Sequence, residues 1–485
     1  MRLKNKLIIF FLSLGNSIVN TLQAQNDSLH PTEITNVEFK INDLLTWVNA
    51  NHPLVRIANS ELKIGAAKLL EKKGAFDPTL SVQNNSKDLE NTNYYDFSRF
   101  AVKGNTRSPI KIETGVDYGF GRNINPEMST TPNGLGFVGI SVNLLKGLWI
   151  DEKRNDLRKA NIYAQLGRIE RNILLQDLAE SIWNDYLLWY NAYEKYMAFE
   201  TGVAISSERQ LALREMFAIG GCNGMDTLEN YIQLKLFEAQ SNEWNANTYK
   251  FKMQLSRHLW SKDENQWVEL NENVFPSPTG LMQLDSICKN ISDNVLNIEL
   301  IPDIQKLKNE QQLKLFNYQL AKNNLLPKLE IKTQLIQNDI PYNWNSLNSY
   351  DGNRRFGISF RTPLFLRKER GDLKQSMFEY FQKNEQVRFK QTERQLKILG
   401  LIKQVQISIG VFNTLKEVEN GYFELYNLER VKYDNGDGTV FLLNTRENRY
   451  LTAKVKTIEQ ELKMRKYEID LLRSMGQISQ TISIK

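Results

Sequence analysis

Gly221-Cys222-Asn223-Gly224-Met225-Asp226-Thr227-Leu228 and Tyr433-Asp434-Asn435-Gly436-Asp437-Gly438-Thr439-Val440-Phe441-Leu442-Leu443 decide how this chain is read, because each interrupts a long window without proline. All twelve prolines lie outside residues 133–275 and 364–485. Proline removes a backbone donor and clashes with the preceding turn, so windows this long, rich in Leu, Glu, Lys, Gln and Asn, permit very long helices. Glycine lets the chain reverse with positive φ, so each window reads as two helices joined at its break.

Outward from these breaks the chain states one arrangement twice. Asn51-His52-Pro53 opens a helical stretch that stops at Phe76-Asp77-Pro78-Thr79-Leu80, and Ile301-Pro302 opens another that stops at Leu326-Pro327-Lys328-Leu329. A helix stopped by proline and followed by alternation marks a helix-to-strand junction. Gly139-Ile140-Ser141-Val142 and Gly357-Ile358-Ser359-Phe360 then precede the charged clusters Asp151 to Arg154 and Arg367 to Arg370, at an offset of 218 residues between Gly139 and Gly357. The breaks Gly221 and Gly436 are 215 residues apart, and the first copy carries 31 extra residues in its strand region, since Pro78 to Gly139 is 61 residues and Pro327 to Gly357 is 30.

The two kinds of segment differ in period. Leu175, Leu178, Ile182, Asp185, Trp189, Ala192, Tyr196 and Phe199 alternate steps of three and four, as do Leu451, Val455, Ile458, Leu462, Arg465, Ile469 and Leu472. That is coiled-coil spacing, and helices of ~60 residues rise ~90 Å, so the body must be elongated. Ile110, Ile112, Thr114, Val116, Tyr118 and Phe120 instead alternate with Lys111, Glu113, Asp117 and Gly119. Period two fits a strand with one lipid face and one watery face, and fits a soluble sheet equally well. Tyr94, Tyr95, Phe97, Tyr118, Phe120 and Phe137 are candidates for aromatic girdles at the membrane interfaces.

Composition narrows the function classes. With 41% hydrophobic residues and mean hydropathy −0.47, the chain is polar for its 485 residues. A net charge of +6, spread over 62 basic and 56 acidic residues, reads as solvated helix faces rather than a nucleic-acid footprint. Two cysteines exclude a dense disulfide framework and leave room for one bridge, and three scattered histidines give no convincing metal cluster. No nucleophile elbow or phosphate loop is present, so the expectation is a protein that is not an enzyme and has no cofactor and no metal. Arg2, Lys4 and Lys6, the apolar run Leu7 to Leu12, and Leu22-Gln23-Ala24 form a signal peptide over residues 1–24, with no cysteine placed for lipidation.

The order of elements resembles the TolC-like outer-membrane efflux protein family, the outer membrane factors, over nearly all of the mature chain. The residues that carry the resemblance are Asn51-His52-Pro53, Phe76 to Leu80, Leu326 to Leu329, the two Gly-Ile-Ser strands, Thr362-Pro363-Leu364-Phe365 and the two glycine breaks. The resemblance implies a mixed fold: a membrane β-barrel plus a long α-helical barrel, in two structural repeats. Four barrel strands per chain would be completed to twelve by a homotrimer in outer-membrane lipid. The implied division is a first repeat over 25–260, with its strand pair in 80–145 and its break near 220–224. An equatorial connection follows over 261–295. The second repeat is 296–485, with its strand pair in 328–365 and its break near 434–439.

The resemblance further implies an exit duct of a tripartite efflux or type I secretion system, working with a periplasmic adaptor protein and an inner-membrane transporter. Gly221, Gly224, Asp226, Gly436, Gly438 and Thr439 would then form the periplasmic tip where the adaptor docks. Asp434, Asp437 and Asn444 are the aperture candidates, although in some relatives the acids follow the second break, where this chain has Phe441, Leu442 and Asn444. Asp434 and Asp437 also read as turn residues bonding their own backbone. The competing reading is a periplasmic coiled-coil scaffold or adaptor with no membrane barrel. It keeps the helices but gives no reason for two strand regions after proline stops.

Overall fold

The computed structural model describes residues 38–90, 92–262, 266–271, 273–278, 297–338 and 353–478. The expected signal peptide, Cys288 and most of the expected connection over 261–295 lie outside these residues. Along the chain the elements are α1 (Ile41–Asn51), α2 (Pro53–Gly74), strands β1 (Thr79–Leu89), β2 (Thr92–Asn105), β3 (Ile110–Phe120) and β4 (Leu135–Asn143), then α3 (Glu152–Ala218) and α4 (Gly224–Ser256). The second half contains α5 (Pro302–Asn324), β5 (Lys328–Asn338), β6 (Arg354–Arg361), α6 (Arg367–Asp434) and α7 (Val440–Met475).

Local chemistry sets these boundaries. Pro53 and Pro302 occupy the first turns of α2 and α5, where a missing N–H costs nothing. The Asp151 carboxylate accepts from the Arg154 N–H at 2.8 Å and starts α3; Asn223 and Thr439 cap α4 and α7 the same way. Helices α3 and α6 run 67 and 68 residues, which at 1.5 Å per residue is ~100 Å each.

Neither long helix is covered by one partner. Helix α2 packs along the sheet-proximal part of α3 and α4 along the rest, while α5 and α7 divide α6 in the same manner. Side by side, the helices run α2-α3-α5-α6 near the sheet and α4-α3-α7-α6 toward the glycine turns. Where the partners change over, Trp183, Tyr186 and Trp189 of α3 are buried with Ile41 and Leu44 of α1. The Tyr186 hydroxyl accepts from Ser277 N–H at 2.9 Å and lies 2.9 Å from the Phe39 carbonyl, tying the two-residue parallel ladder 38–39/275–276 to this core.

The polar members of both coiled-coil seams are buried with partners. Asp185 accepts from Arg257 at 2.7 Å and lies 2.8 Å from His258, and Arg465 pairs with Glu468 at 3.1 Å. Seam spacing therefore located the packed faces even at its charged positions.

The sheet corrects one expectation. Among the described residues it contains six antiparallel strands in sequential order β1 to β6, not four: β1 to β4 come from the first half and β5 and β6 from the second. The 31 extra residues of the first half are an added hairpin's worth of strand, hydrogen-bonded into the sheet on both sides. Among the described residues both outer strands, β1 and β6, have one unpaired edge, and they run antiparallel to each other.

Candidate functional site

Strand register assigns every side chain of the sheet to one of two faces, because neighbours across a ladder share a face and residues alternate along it. Leu80, Val102, Thr114, Val138 and Leu335 form one continuous cross-strand row, which ends on β6 at the exposed Arg354. The neighbouring row is Val82, Phe100 and Val116, and on the other side Ile112 and Ile140 continue through Thr333 to Phe356. Ile110, Val142, Ile331 and Ile358 complete a fourth. Many of these side chains, among them Leu80, Val82, Phe356, Ile358 and Phe360, are exposed. A solvated sheet face places polar residues here. This one is an open apolar band carried by all six strands, the added pair included. Its outer limit is visible on β1 and β2, where Asn84 donates to Asp96 at 2.9 Å and to Ser98 at 2.8 Å on the same face.

The opposite face is polar and charged. Arg99 grips Asp117 with two bonds of 2.6 and 2.7 Å, and Arg355 approaches the same carboxylate at 3.3 Å; Asp117 is 1% exposed. One strand step away, Glu113 receives Lys332 at 2.8 Å and Lys103 at 3.7 Å, and Glu330 pairs with Lys328 at 3.0 Å. Lys87, Lys111 and Arg361 occupy this face too, with no ion pair among the described residues. Register also divides the expected girdle aromatics. Tyr118 and Phe120 stand on the apolar face, whereas Phe97 and Phe137 stand on the charged one, where Arg99 lies 5.6 and 5.3 Å from their ring centroids.

A second aromatic feature, missed in the sequence, sits where the strands give way to the long helices. Trp149 lies between β4 and α3 and is 78% exposed; Leu364 and Phe365, between β6 and α6, are 90% and 72% exposed. Trp149 and Phe365 are 216 residues apart and occupy corresponding junctions. The available signal was an aromatic residue just ahead of each charged cluster.

At the far end of the long helices the two glycine turns share one geometry. Gly220 and Gly436 adopt φ of +74° and +83°. Gly221 N–H bonds the Met216 carbonyl at 2.8 Å, as Asp437 N–H bonds Lys432 at 2.9 Å. This is the Schellman arrangement, in which the left-handed residue follows the helix directly. Gly220, rather than Gly221, is therefore the counterpart of Gly436. Gly221 is the next residue and does not have positive φ. Gly224 is the first residue of α4 and Asp226 lies in its first turn, where an acid suits the helix dipole. Gly438 lies close against the Tyr433 backbone, and the Thr439 hydroxyl accepts from Leu442 N–H at 3.3 Å.

The aperture candidates separate. Asp434 and Asp437 are exposed at the turn, while Asn444 is buried and accepts from Arg209 of α3 at 2.7 Å. The same guanidinium donates to Glu447 at 2.9 Å, and Gln233 and Asn448 exchange amide bonds of 2.9 and 2.6 Å between α4 and α7. Burial raises the Glu447 carboxyl above its ordinary range, and Arg209 offsets only part of that shift. This network locks the hairpin ends of the two halves side by side. Its partners are separated by 238 residues, so no local pattern signals it. Cys222 sits in the first turn as a free thiol. Among the described residues no group of acids, histidines and cysteines is placed to hold a metal ion.

No protein-family model matches the chain, nor does any curated protein. Solved structures do. The outer membrane channel CmeC of Campylobacter jejuni superposes with a TM-score of 0.59 at 13% identity, over 95% of this chain and 94% of that one. The chain has the TolC-like fold. The open-state MtrE outer membrane channel of Neisseria gonorrhoeae gives 0.60 at 12% identity, over 90% and 88% of the two chains. The outer membrane protein VceC of Vibrio cholerae gives 0.59 at 12%, over 90% and 96%. The TolC-like fold is thus reached with almost no shared sequence, and the similarity covers strands and helices together.

Proposed function

We propose that this protein is an outer-membrane exit duct, passively conducting solutes across the periplasm and outer membrane. One observation carries the reading: a sheet whose apolar face is exposed on all six strands, continuous with helices ~100 Å long. In water that face is an aggregation hazard. In hydrocarbon it is the favoured surface, and strands of 8 to 14 residues suit the 9–11 that a tilted crossing requires.

Lipid also dictates assembly. The unpaired edges of β1 and β6 cost several kcal/mol per unsatisfied backbone group in a bilayer. Their antiparallel sense lets β6 of one copy pair with β1 of the next around a closed ring. We assign three copies, which with six strands each make an eighteen-stranded barrel in place of the expected twelve. The two halves then act as structural repeats of a periplasmic tube wall. The tips around Gly220 and Gly436 meet a periplasmic adaptor, and an inner-membrane transporter supplies energy. The similarity to solved outer membrane channels supports this assignment. The scaffold alternative leaves the exposed apolar face without a purpose.

Fractionation tests the reading. The mature chain is expected in the detergent-solubilised outer membrane and resistant to alkaline wash. Recovery in the soluble periplasm would sink it.

A further inference from the structure

The charged face of the sheet lines the interior once the apolar face is given to lipid, so this inference deepens the duct reading and rests on it. Counting that face strand by strand gives eight basic residues against three acidic ones among the described residues. The three acids are all engaged: Asp117 by two arginines, Glu113 by two lysines and Glu330 by Lys328. Lys87, Lys111 and Arg361 face the interior with no ion pair among the described residues, and Glu113 and Asp117 are each shared by two cations. We propose that the barrel interior is an electrostatic filter that favours anionic solutes.

The placement supports a filter rather than scattered surface charge. Lys111, Lys332 and Gly357 fall on one cross-strand row and Lys328 and Arg361 on another, both at the helix-proximal end of the sheet, where solute leaving the tube enters the barrel. Glycine at 357 keeps that row open beside Lys332, since nothing lies within 4 Å of a Cβ built there. The Arg99–Asp117–Arg355 clamp spans β2, β3 and β6 across the sheet's interior surface and ties its two arginines to one carboxylate. Walls of low dielectric focus the field of such groups into the passage and raise the local concentration of counter-ions. Rings of Lys and Arg select anions in pores by this means.

The test is ion selectivity of the full chain in planar bilayers under a tenfold KCl gradient. Chloride is expected to permeate better than potassium. Lys111→Glu and Arg361→Glu are each expected to move the reversal potential toward potassium, and the pair together severalfold in permeability ratio. Among the described residues Lys111 and Arg361 make no ion pair, so the variants break none of those on this face. An independent arm uses Lys111→Cys and Ile112→Cys in a Cys222→Ser, Cys288→Ser background. A membrane-impermeant maleimide is expected to label position 111 and spare 112. A cation-selective parent, variants with an unchanged reversal potential, or labelling at 112 but not 111 would overturn the filter while leaving the duct intact. Protein that reaches the bilayer and conducts no ions overturns the duct, and the filter with it.

Discussion

The two halves follow the same order of elements but differ in how fully they are packed. Helix α3 buries 24 of its 67 residues and α6 only seven of its 68. The sequence does not make α6 more polar where it is bare: Phe378, Phe381, Phe389, Leu396, Leu399 and Ile407 are all exposed, and an 18-residue stretch of α6 reaches a mean hydropathy of 1.3. Helix α3 is flanked on both sides within the chain, by α2 and α4 on one side and α5 and α7 on the other, whereas among the described residues α6 has partners on one side only. The difference locates the surface at which a single copy is incomplete. Under the duct reading α6 is the seam between copies, and its apolar stretch is interface rather than a membrane span.

The largest effect should come from attacking that asymmetry. Leu396→Asp with Leu399→Asp on α6 is expected to abolish the stable oligomer, read by chemical cross-linking in isolated membranes. Met197→Asp, at an exposed site on α3, is expected to leave it intact. Equal outcomes for the two would remove the distinction between the halves.

Next in size is the lock between the halves. Arg209→Ala leaves Glu447 buried and unpaired, and is expected to cost about 3–5 kcal/mol in denaturant unfolding. Glu447→Gln is expected to cost far less, because burial already disfavours its charge. The sign follows from the raised carboxyl: the folded state holds this proton more tightly, so its contribution to stability is greatest at low pH and declines as pH rises through the raised range.

The changeover core of the first half responds to pH in the opposite sense. His52 caps α2 by accepting from Leu54 N–H, and its ionisation is lowered to about 4, first by burial and then by His258 and Arg56. The unfolded chain takes up this proton near the ordinary value of 6.5. Stability is therefore complete above 6.5 and is lost as pH falls toward 4, by about 2–3 kcal/mol. His52→Asn, which keeps a capping acceptor, is expected to flatten that part of the thermal-stability profile.

The smallest effect tests whether the turns are equivalent. Gly220→Ala and Gly436→Ala meet no atom within 4 Å, so each is expected to cost only the left-handed conformation, about 1–2 kcal/mol, and to a similar extent. Gly221→Ala is expected to be milder than Gly220→Ala. The reverse order would place the counterpart of Gly436 back at 221.

Much of this was legible in the residues. The proline-free windows, the proline stops and the glycine breaks fixed both long helices and their turns, because these are local effects of backbone chemistry. Strand number was not legible. Thr79 to Leu89 loses its alternation after Val82, where Gln83-Asn84-Asn85-Ser86-Lys87 is polar on both faces, and Tyr94 to Phe100 places aromatics on both faces. Those strands project beyond the apolar band, so only their helix-proximal parts carry a period of two. The 31 surplus residues were countable, yet only pairing shows that they extend the sheet. The turns were found, but the burial of Asn444 was not legible, since its partner Arg209 comes from the other half of the chain.

The added hairpin also bears on bore. Four helices abreast, at ~8–10 Å between axes, cover ~32–40 Å of circumference. Six strands ~4.8 Å apart, tilted ~40° to the axis, cover ~38 Å, and four would cover only ~25 Å. Under the duct reading, six strands above four helices need no narrowing where sheet meets helix, and a solute that clears the tube would meet no tighter ring of backbone on its way out.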